Sequence, residues 1–215
     1  MTPTLNSEGW PVVLQTCPAF DMSDEQFYEF CQQNRDWRIE RTAEGELIII
    51  PSAGGETGNQ NALLTTFFTL WALQEGTGVA FDSSTGFTLP NRATRSPDAA
   101  WVKKSRLHVL TPAQKKKFLP LCPDFVIELR SPSDTLKTVQ EKMQEYLDNG
   151  AQLGWLIDPL DRRVYVYRPG GEMECLDNPT TRNCPVSCLP SLVFGKQISK
   201  GTVRTRSYSA VAWTQ

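Results

Sequence analysis

Residues 123–169 read PDFVIELRSPSDTLKTVQEKMQEYLDNGAQLGWLIDPLDRRVYVYRP, and the order of patterns inside them sets the fold class. The run from Asp124 to Arg130 is short, rich in apolar residues and closed by Ser131-Pro132-Ser133, which predicts a buried strand. From Leu136 to about Asn149 the spacing changes: Val139, Met143, Tyr146 and Leu147 form the apolar stripe of a helix. Leu153 to Asp158 and Val164 to Tyr167 are two further strand runs. A long helix between hydrophobic strands argues for an α/β sheet partly covered by helices and against an all-β sandwich.

Working outward, Ser23 stands three residues before Gln26 in a capping box, so a short helix runs to about Asn34. Glu46 to Ile50 reads as a strand closed by Pro51. Leu63, Phe67, Leu70 and Trp71 repeat at helical spacing between Gly58 and about Gln74, and Gly76 ends the pattern. Val79 to Phe81, Gly86 to Leu89 and Asp98 to Lys103 are strand-like. The tail from Asp177 onward, rich in Pro, Cys, Ser and Thr, reads as irregular with one strand near Leu192 to Phe194. The expectation is one domain over 1–215, with a core over 20–170 and an irregular extension over 171–215.

Composition excludes several function classes. No apolar run reaches the ~18 residues of a membrane span, and MTPTLNSEGWPVVL lacks the basic start and apolar centre of a signal peptide, so a cytoplasmic location is expected. Cys17, Cys31, Cys122, Cys175, Cys184 and Cys188 are scattered and read as free thiols; Cys184 and Cys188 lie close together but have too few neighbouring ligands for zinc. His108 is the single histidine, which removes most triad and zinc-hydrolase chemistry. Carboxylates and lysines must supply any catalysis. The net charge of -2 conceals a basic stretch, in which Arg92, Arg95, Lys103, Lys104, Arg106 and Lys115 to Lys117 face the single acid Asp98. That stretch is either a phosphate-contacting face or a solvated loop, and Arg92, Arg95, Lys103 and Lys104 are the candidate DNA contacts.

Strand alternation puts Val126, Glu128 and Arg130 on one face of the 124–130 run. Glu128 is thus a carboxylate in an apolar strand, and it needs a cation as partner. Arg130, two residues along, is one candidate and a bound metal another. Asp98 follows Pro97, which alone suggests a turn, but the small Ala99 and Ala100 leave room beside it. Lys142 stands three after Val139 and four before Tyr146, so it points toward the sheet, whereas Lys137 projects elsewhere into solvent. The alternative for Lys142 is a stem packed on the core with its head in water. Two carboxylates and an inward lysine suit phosphodiester hydrolysis: oxygen ligands hold Mg²⁺ or Mn²⁺, and the lysine orients or helps deprotonate the attacking water and offsets transition-state charge. Arg130 can contribute charge but cannot act as a base.

Pro97-Asp98 followed by Glu128-Leu129-Arg130 resembles the PD-(D/E)XK nuclease signature, with arginine where lysine is expected. The 123–169 stretch is similar to a bacterial family of restriction-endonuclease-like proteins classed as a domain of unknown function, in which the lysine has moved to the following helix; Lys142 matches it. The resemblance extends over about residues 20–170, is strongest from Pro123 to Tyr167, and is absent from the tail. It implies a restriction-endonuclease-like mixed β-sheet flanked by helices, Mg²⁺- or Mn²⁺-dependent cleavage of DNA, and a homodimer. Asp98 and Glu128 would be the metal ligands and, with Lys142 and Arg130, the catalytic set. The superfamily often adds an acid from an early helix, for which Glu56 is the candidate, although it also suits the N-terminal charge of that helix. Asp124, also preceded by proline, lies too close to Glu128 to be its metal partner from a neighbouring strand, and Asp158 reads as a turn former. Two rival readings use the same residues: a catalytically inactive nucleic-acid-binding scaffold of this fold, and a hydrolase of smaller phosphate compounds.

Overall fold

In a computed structural model, residues 11–16 and 20–179 are described. The decisive stretch folds as β8 (Phe125–Leu129), α5 (Leu136–Asp148), β9 (Leu153–Asp158) and β10 (Arg163–Tyr167). Strands β8 and β9 are parallel neighbours, Phe125 beside Leu153 and Leu129 beside Ile157. Parallel partners need a long crossover, and α5 supplies it. Thr135 caps α5 by accepting from the Thr138 N–H. All five residues of β8 are buried, as expected of a strand covered on both faces.

These strands belong to a six-stranded mixed sheet, ordered β11-β10-β9-β8-β7-β4, with β4 at Gly78–Asp82, β7 at Ala99–Lys103 and β11 at Glu174–Asp177. One face packs on α2 (Gly55–Glu75) through Leu64, Phe68 and Ala72, which meet Ala99, Trp101, Phe125, Ile127 and Trp155. Gly76 ends α2 in the left-handed conformation at φ 78°. The opposite face packs on α5 through Val139, Met143 and Tyr146, against Ala100, Val126, Leu156 and Tyr165. In β4, Gly78 admits no side chain, because a Cβ there would lie 2.0 Å from the Trp101 indole.

A second sheet, ordered β1-β3-β2-β6-β5, was not evident in the sequence. It comprises β1 (Val12–Leu14), β2 (Arg38–Arg41), β3 (Leu47–Ile50), β5 (Phe87–Thr88) and β6 (Thr94–Arg95). The β2–β3 hairpin turns through Gly45 at φ 89°, and α1 (Asp24–Gln33) carries the expected capping box at Ser23 and Gln26. The chain passes from the small sheet to the large one through Ser96-Pro97-Asp98, between β6 and β7. This crossing point is where the charged residues gather.

The basic stretch contains two short helices, α3 (Lys104–His108) and α4 (Pro112–Lys115), and His108 is exposed at the end of α3. Among the described residues Cys31, Cys122 and Cys175 are free thiols. Cys17, Cys184, Cys188 and the strand expected near Leu192 to Phe194 lie outside the described residues. No helix among the described residues is long and apolar enough to cross a membrane.

Candidate active site

Antiparallel pairing sets Ala99 opposite Ile127; one step further along that register brings Asp98 across from Glu128. Ala99 and Ile127 face α2, so by alternation Asp98 and Glu128 face α5. Both carboxylates are buried. Lys142, on the inner side of α5 and only 16% exposed, reaches Glu128 Oε1 at 2.9 Å. The inward orientation expected of Lys142 is therefore present, and Lys137 is 87% exposed, paired only with Glu141 one turn along.

The second sheet supplies what the sequence reading did not find. Arg38 and Glu40 alternate onto the inner face of β2. Lys142 Nζ lies 3.0 Å from Glu40 Oε1, so one ammonium bridges Glu40 and Glu128. Glu40 also accepts from the Ser96 N–H at 3.0 Å and pairs through Oε2 with Arg95 at 3.3 Å. Arg95 in turn pairs with Glu145 at 2.6 Å, and Glu145 accepts from Asn91. Arg38 sits 3.7 Å from Asp98 Oδ1 and donates to the Ser96 carbonyl; its buried Nε has no hydrogen-bond partner.

The two carboxylates that share Lys142 differ in their other neighbours, and the difference decides their ionisation. Burial pushes Glu40 up, but Lys142, Arg95, Arg38 and the Ser96 N–H outweigh it and hold the carboxyl at about 2. Burial also pushes Glu128 up; Lys142 is its main compensation, while Asp98 and Glu40 repel its charge, and it is raised to about 7. Asp98 is raised as well, chiefly by burial, against the opposing pull of Arg38 and the Leu129 N–H. Burial disfavours the Lys142 ammonium, but Glu128 and Glu40 raise its pKa above the ordinary value. The ion pairs of the cluster set four carboxylates, Glu40, Asp98, Glu128 and Glu145, against three cations, Arg38, Arg95 and Lys142.

The free oxygens point to what completes the site. Asp98 Oδ2 accepts from the Leu129 N–H at 2.8 Å, leaving Oδ1 with only the Arg38 contact. Glu128 Oε1 accepts from Lys142 and from the Tyr146 hydroxyl, and no described residue donates to Oε2. Each carboxylate thus keeps one oxygen available to a hard cation. No group of three or more His, Cys, Asp or Glu side chains among the described residues forms a cation cage. Mg²⁺ needs none, since it commonly takes one or two carboxylates and fills its octahedron with waters and substrate phosphates. The donor set fits Mg²⁺ or Mn²⁺.

Other expected site residues lie elsewhere. Arg130 does not join this cluster or pair with Glu128: it binds buried Asp158 at 2.7 Å and Asp161 at 3.6 Å, and donates to the Asp134 carbonyl. Its guanidinium is spent on tying the β8–α5 loop to the end of β9. Asp158 does form a turn, accepting from the Leu160 and Asp161 N–H groups. Glu56 lies exposed in the first turn of α2, where it suits the helix dipole; the early acid that does reach the cluster is Glu40, from a strand. Among the candidate DNA contacts, Arg95 is consumed by Glu40 and Glu145. Arg92 is exposed in a left-handed turn and pairs with Asp21. Lys103 ends β7 and Lys104 begins α3, so both lie at the far end of the strand from Asp98, about 16 Å along it at ~3.3 Å per residue. There Lys103 faces Asp124 and Lys104 donates to the Gly76 carbonyl. Asp124 is a structural anchor, accepting from the Lys103 N–H and pairing with Arg106.

Three comparisons bear on this arrangement. The family model described as "Uma2: Putative restriction endonuclease" matches residues 24–193, reaching further into the tail than the sequence resemblance to about residue 170. The crystal structure of a "putative nuclease" from Anabaena variabilis superimposes with a TM-score of 0.64 at 22% identity, covering 80% of this chain and 99% of that one. At that identity the similarity carries the fold alone. No curated protein matches the chain.

Proposed function

Because the chain belongs to the Uma2 family of "putative restriction endonucleases", we propose that it is a metal-dependent deoxyribonuclease with its reaction centre at Asp98, Glu128 and Lys142. The observation that carries this reading is the pair of buried carboxylates on neighbouring strands, each with one oxygen fixed by a hydrogen bond and the other accepting none from the described residues, Asp98 Oδ1 having only the 3.7 Å contact with Arg38. Asp98 and Glu128 are the residues that would hold Mg²⁺ or Mn²⁺. Bound there, the cation would polarise a phosphoryl oxygen and lower the pKa of a coordinated water.

The remaining roles follow from the chain's own groups. Lys142 remains an ammonium between Glu40 and Glu128, so it donates hydrogen bonds to the water or phosphate rather than accepting a proton. Glu40, locked by Arg95 and Ser96, fixes where that ammonium sits. Arg38, about a third exposed beside Asp98, is the cation of the cluster best placed to meet a phosphate oxygen. Arg130 acts at a distance by fixing the loop into α5. The DNA partner follows from the family's activity, and a homodimer would present one such centre to each strand of a duplex; sedimentation of the purified chain tests the dimer.

The function is tested by titrating Mn²⁺ calorimetrically into the wild type and an Asp98→Asn, Glu128→Gln double variant, then incubating both with supercoiled plasmid and Mg²⁺ or Mn²⁺. Binding and cutting by the wild type alone are expected. Salt-sensitive DNA retention without product, in every metal, would instead establish an inactive scaffold. Release of phosphate from nucleotides with plasmid left intact would mark a small-molecule hydrolase.

A further inference from the structure

Tyr146 lies on the apolar face of α5 and is fully buried, yet its hydroxyl does more than fill space. It donates to Glu128 Oε1 at 2.9 Å, the same oxygen that Lys142 reaches at 2.9 Å. Lys142 and Tyr146 are one helical turn apart on the same side of α5. Two donors converge on one oxygen of the carboxylate, and the other oxygen receives none from the described residues.

We infer that Tyr146 is a positioning residue that pins Glu128 Oε1 and so turns Oε2 toward the cation, an inference that rests on the metal-dependent reading above. The terminal torsion of a glutamate is broad, so a carboxylate without such a hold presents either oxygen. Lys142 alone is a poor hold, because the reaction needs its ammonium for water or phosphate. The phenol remains when Lys142 turns away. Being neutral, it orients the carboxylate without placing a second positive charge beside the cation. Asp98 is held by the same device, since its Oδ2 accepts from the uncharged Leu129 N–H. Both proposed ligands are thus aimed by neutral donors, the arrangement by which outer groups tune a metal site.

The test is a calorimetric Mn²⁺ titration of the full chain as wild type, Tyr146→Phe and Tyr146→4-aminophenylalanine, with circular dichroism and urea midpoints recorded for each. The phenylalanine variant keeps the ring and loses the donor; its Kd is expected to rise about 10- to 100-fold with the fold retained. The aminophenylalanine variant keeps an N–H donor at the same place and should recover most of the affinity. Phenylalanine binding as tightly as the wild type, or the amine variant binding as weakly as phenylalanine, overturns the positioning role while leaving the metal site standing. If the phenylalanine variant does not fold, the amine variant decides by itself: wild-type-like affinity supports the role and loss of affinity in a folded protein refutes it. A wild type that takes up no Mn²⁺, alone or with duplex DNA, removes the metal reading and this inference together.

Discussion

Replacing Glu128 with glutamine should make the metal-free protein more stable, although it removes a residue assigned to the centre. In the fold the Glu128 carboxyl sits at about 7, above its ordinary 4.5, because burial, Asp98 and Glu40 outweigh Lys142. A raised carboxyl contributes stability that is fully present below the unfolded value and is lost as pH climbs through the folded one. Between pH 4.5 and about 7 the unfolded chain ionises Glu128 while the fold keeps it protonated, so the wild type loses about 3 kcal/mol of stability, at 1.36 kcal/mol per pH unit. Glutamine is neutral at every pH and retains the Oε1 acceptor for Tyr146 and Lys142. Lys142 is not orphaned, because Glu40 remains 3.0 Å away. In urea unfolding with EDTA at pH 8, Glu128→Gln should exceed the wild type by about 1–3 kcal/mol, and the two should converge near pH 4. Added Mg²⁺ should raise the wild type and leave the variant unchanged, since only a native-state binder stabilises by mass action. A variant less stable than the wild type at pH 8 in EDTA would show that Glu128 is a satisfied structural carboxylate, and the argument for a charge-deficient centre would fall.

Three other outcomes follow from the same packing. Lys142→Met leaves Glu40 and Glu128 sharing a buried site without their common cation, so urea unfolding in EDTA should show a loss of about 3–5 kcal/mol, partly restored by Mg²⁺; an unchanged midpoint would mean the ammonium is not bound as described. Glu40, held at about 2, has the opposite pH sign from Glu128: its contribution is present above 4.5 and is lost as pH falls toward 2. Acid titration of Glu40→Gln should accordingly show a shallower loss of stability over that interval than the wild type. Gly78→Ala drives a methyl into the Trp101 indole and should cost about 1–3 kcal/mol by thermal or urea unfolding, with little change in metal affinity.

The centre of the fold was legible because its signals are local. Residues 123–169 alternate between strand and helix periods, and the expected span of Leu153 to Asp158 matches β9 residue for residue. Lys142 was readable for the same reason: the apolar stripe of α5 fixes which side chains face the sheet. Strand β2 was not readable. Three of its four residues, Arg38, Glu40 and Arg41, are charged, so the hydrophobic pattern that marks a strand is missing where the site needs charge. The alternation of Arg38 and Glu40 just before a glycine-bearing hairpin was the available clue. A tyrosine on an apolar stripe is usually a core residue, and only its hydroxyl contact gives Tyr146 a second role. Arg130 erred the other way. Alternation put it on the same face as Glu128, but the partner that claims it, Asp158, comes from the next strand, which pairwise reasoning within β8 could not supply.

The central claim is tested most directly by the rate at which supercoiled plasmid is nicked or linearised by the wild type and by Lys142→Met, at a temperature where circular dichroism shows both folded. The account predicts cutting by the wild type with Mg²⁺ or Mn²⁺, none with EDTA, and a rate for the variant lower by about 10²–10³-fold, the cost of removing one preorganised donor. Cutting by Lys142→Met at the wild-type rate, or wild-type cutting that EDTA does not stop, would contradict it.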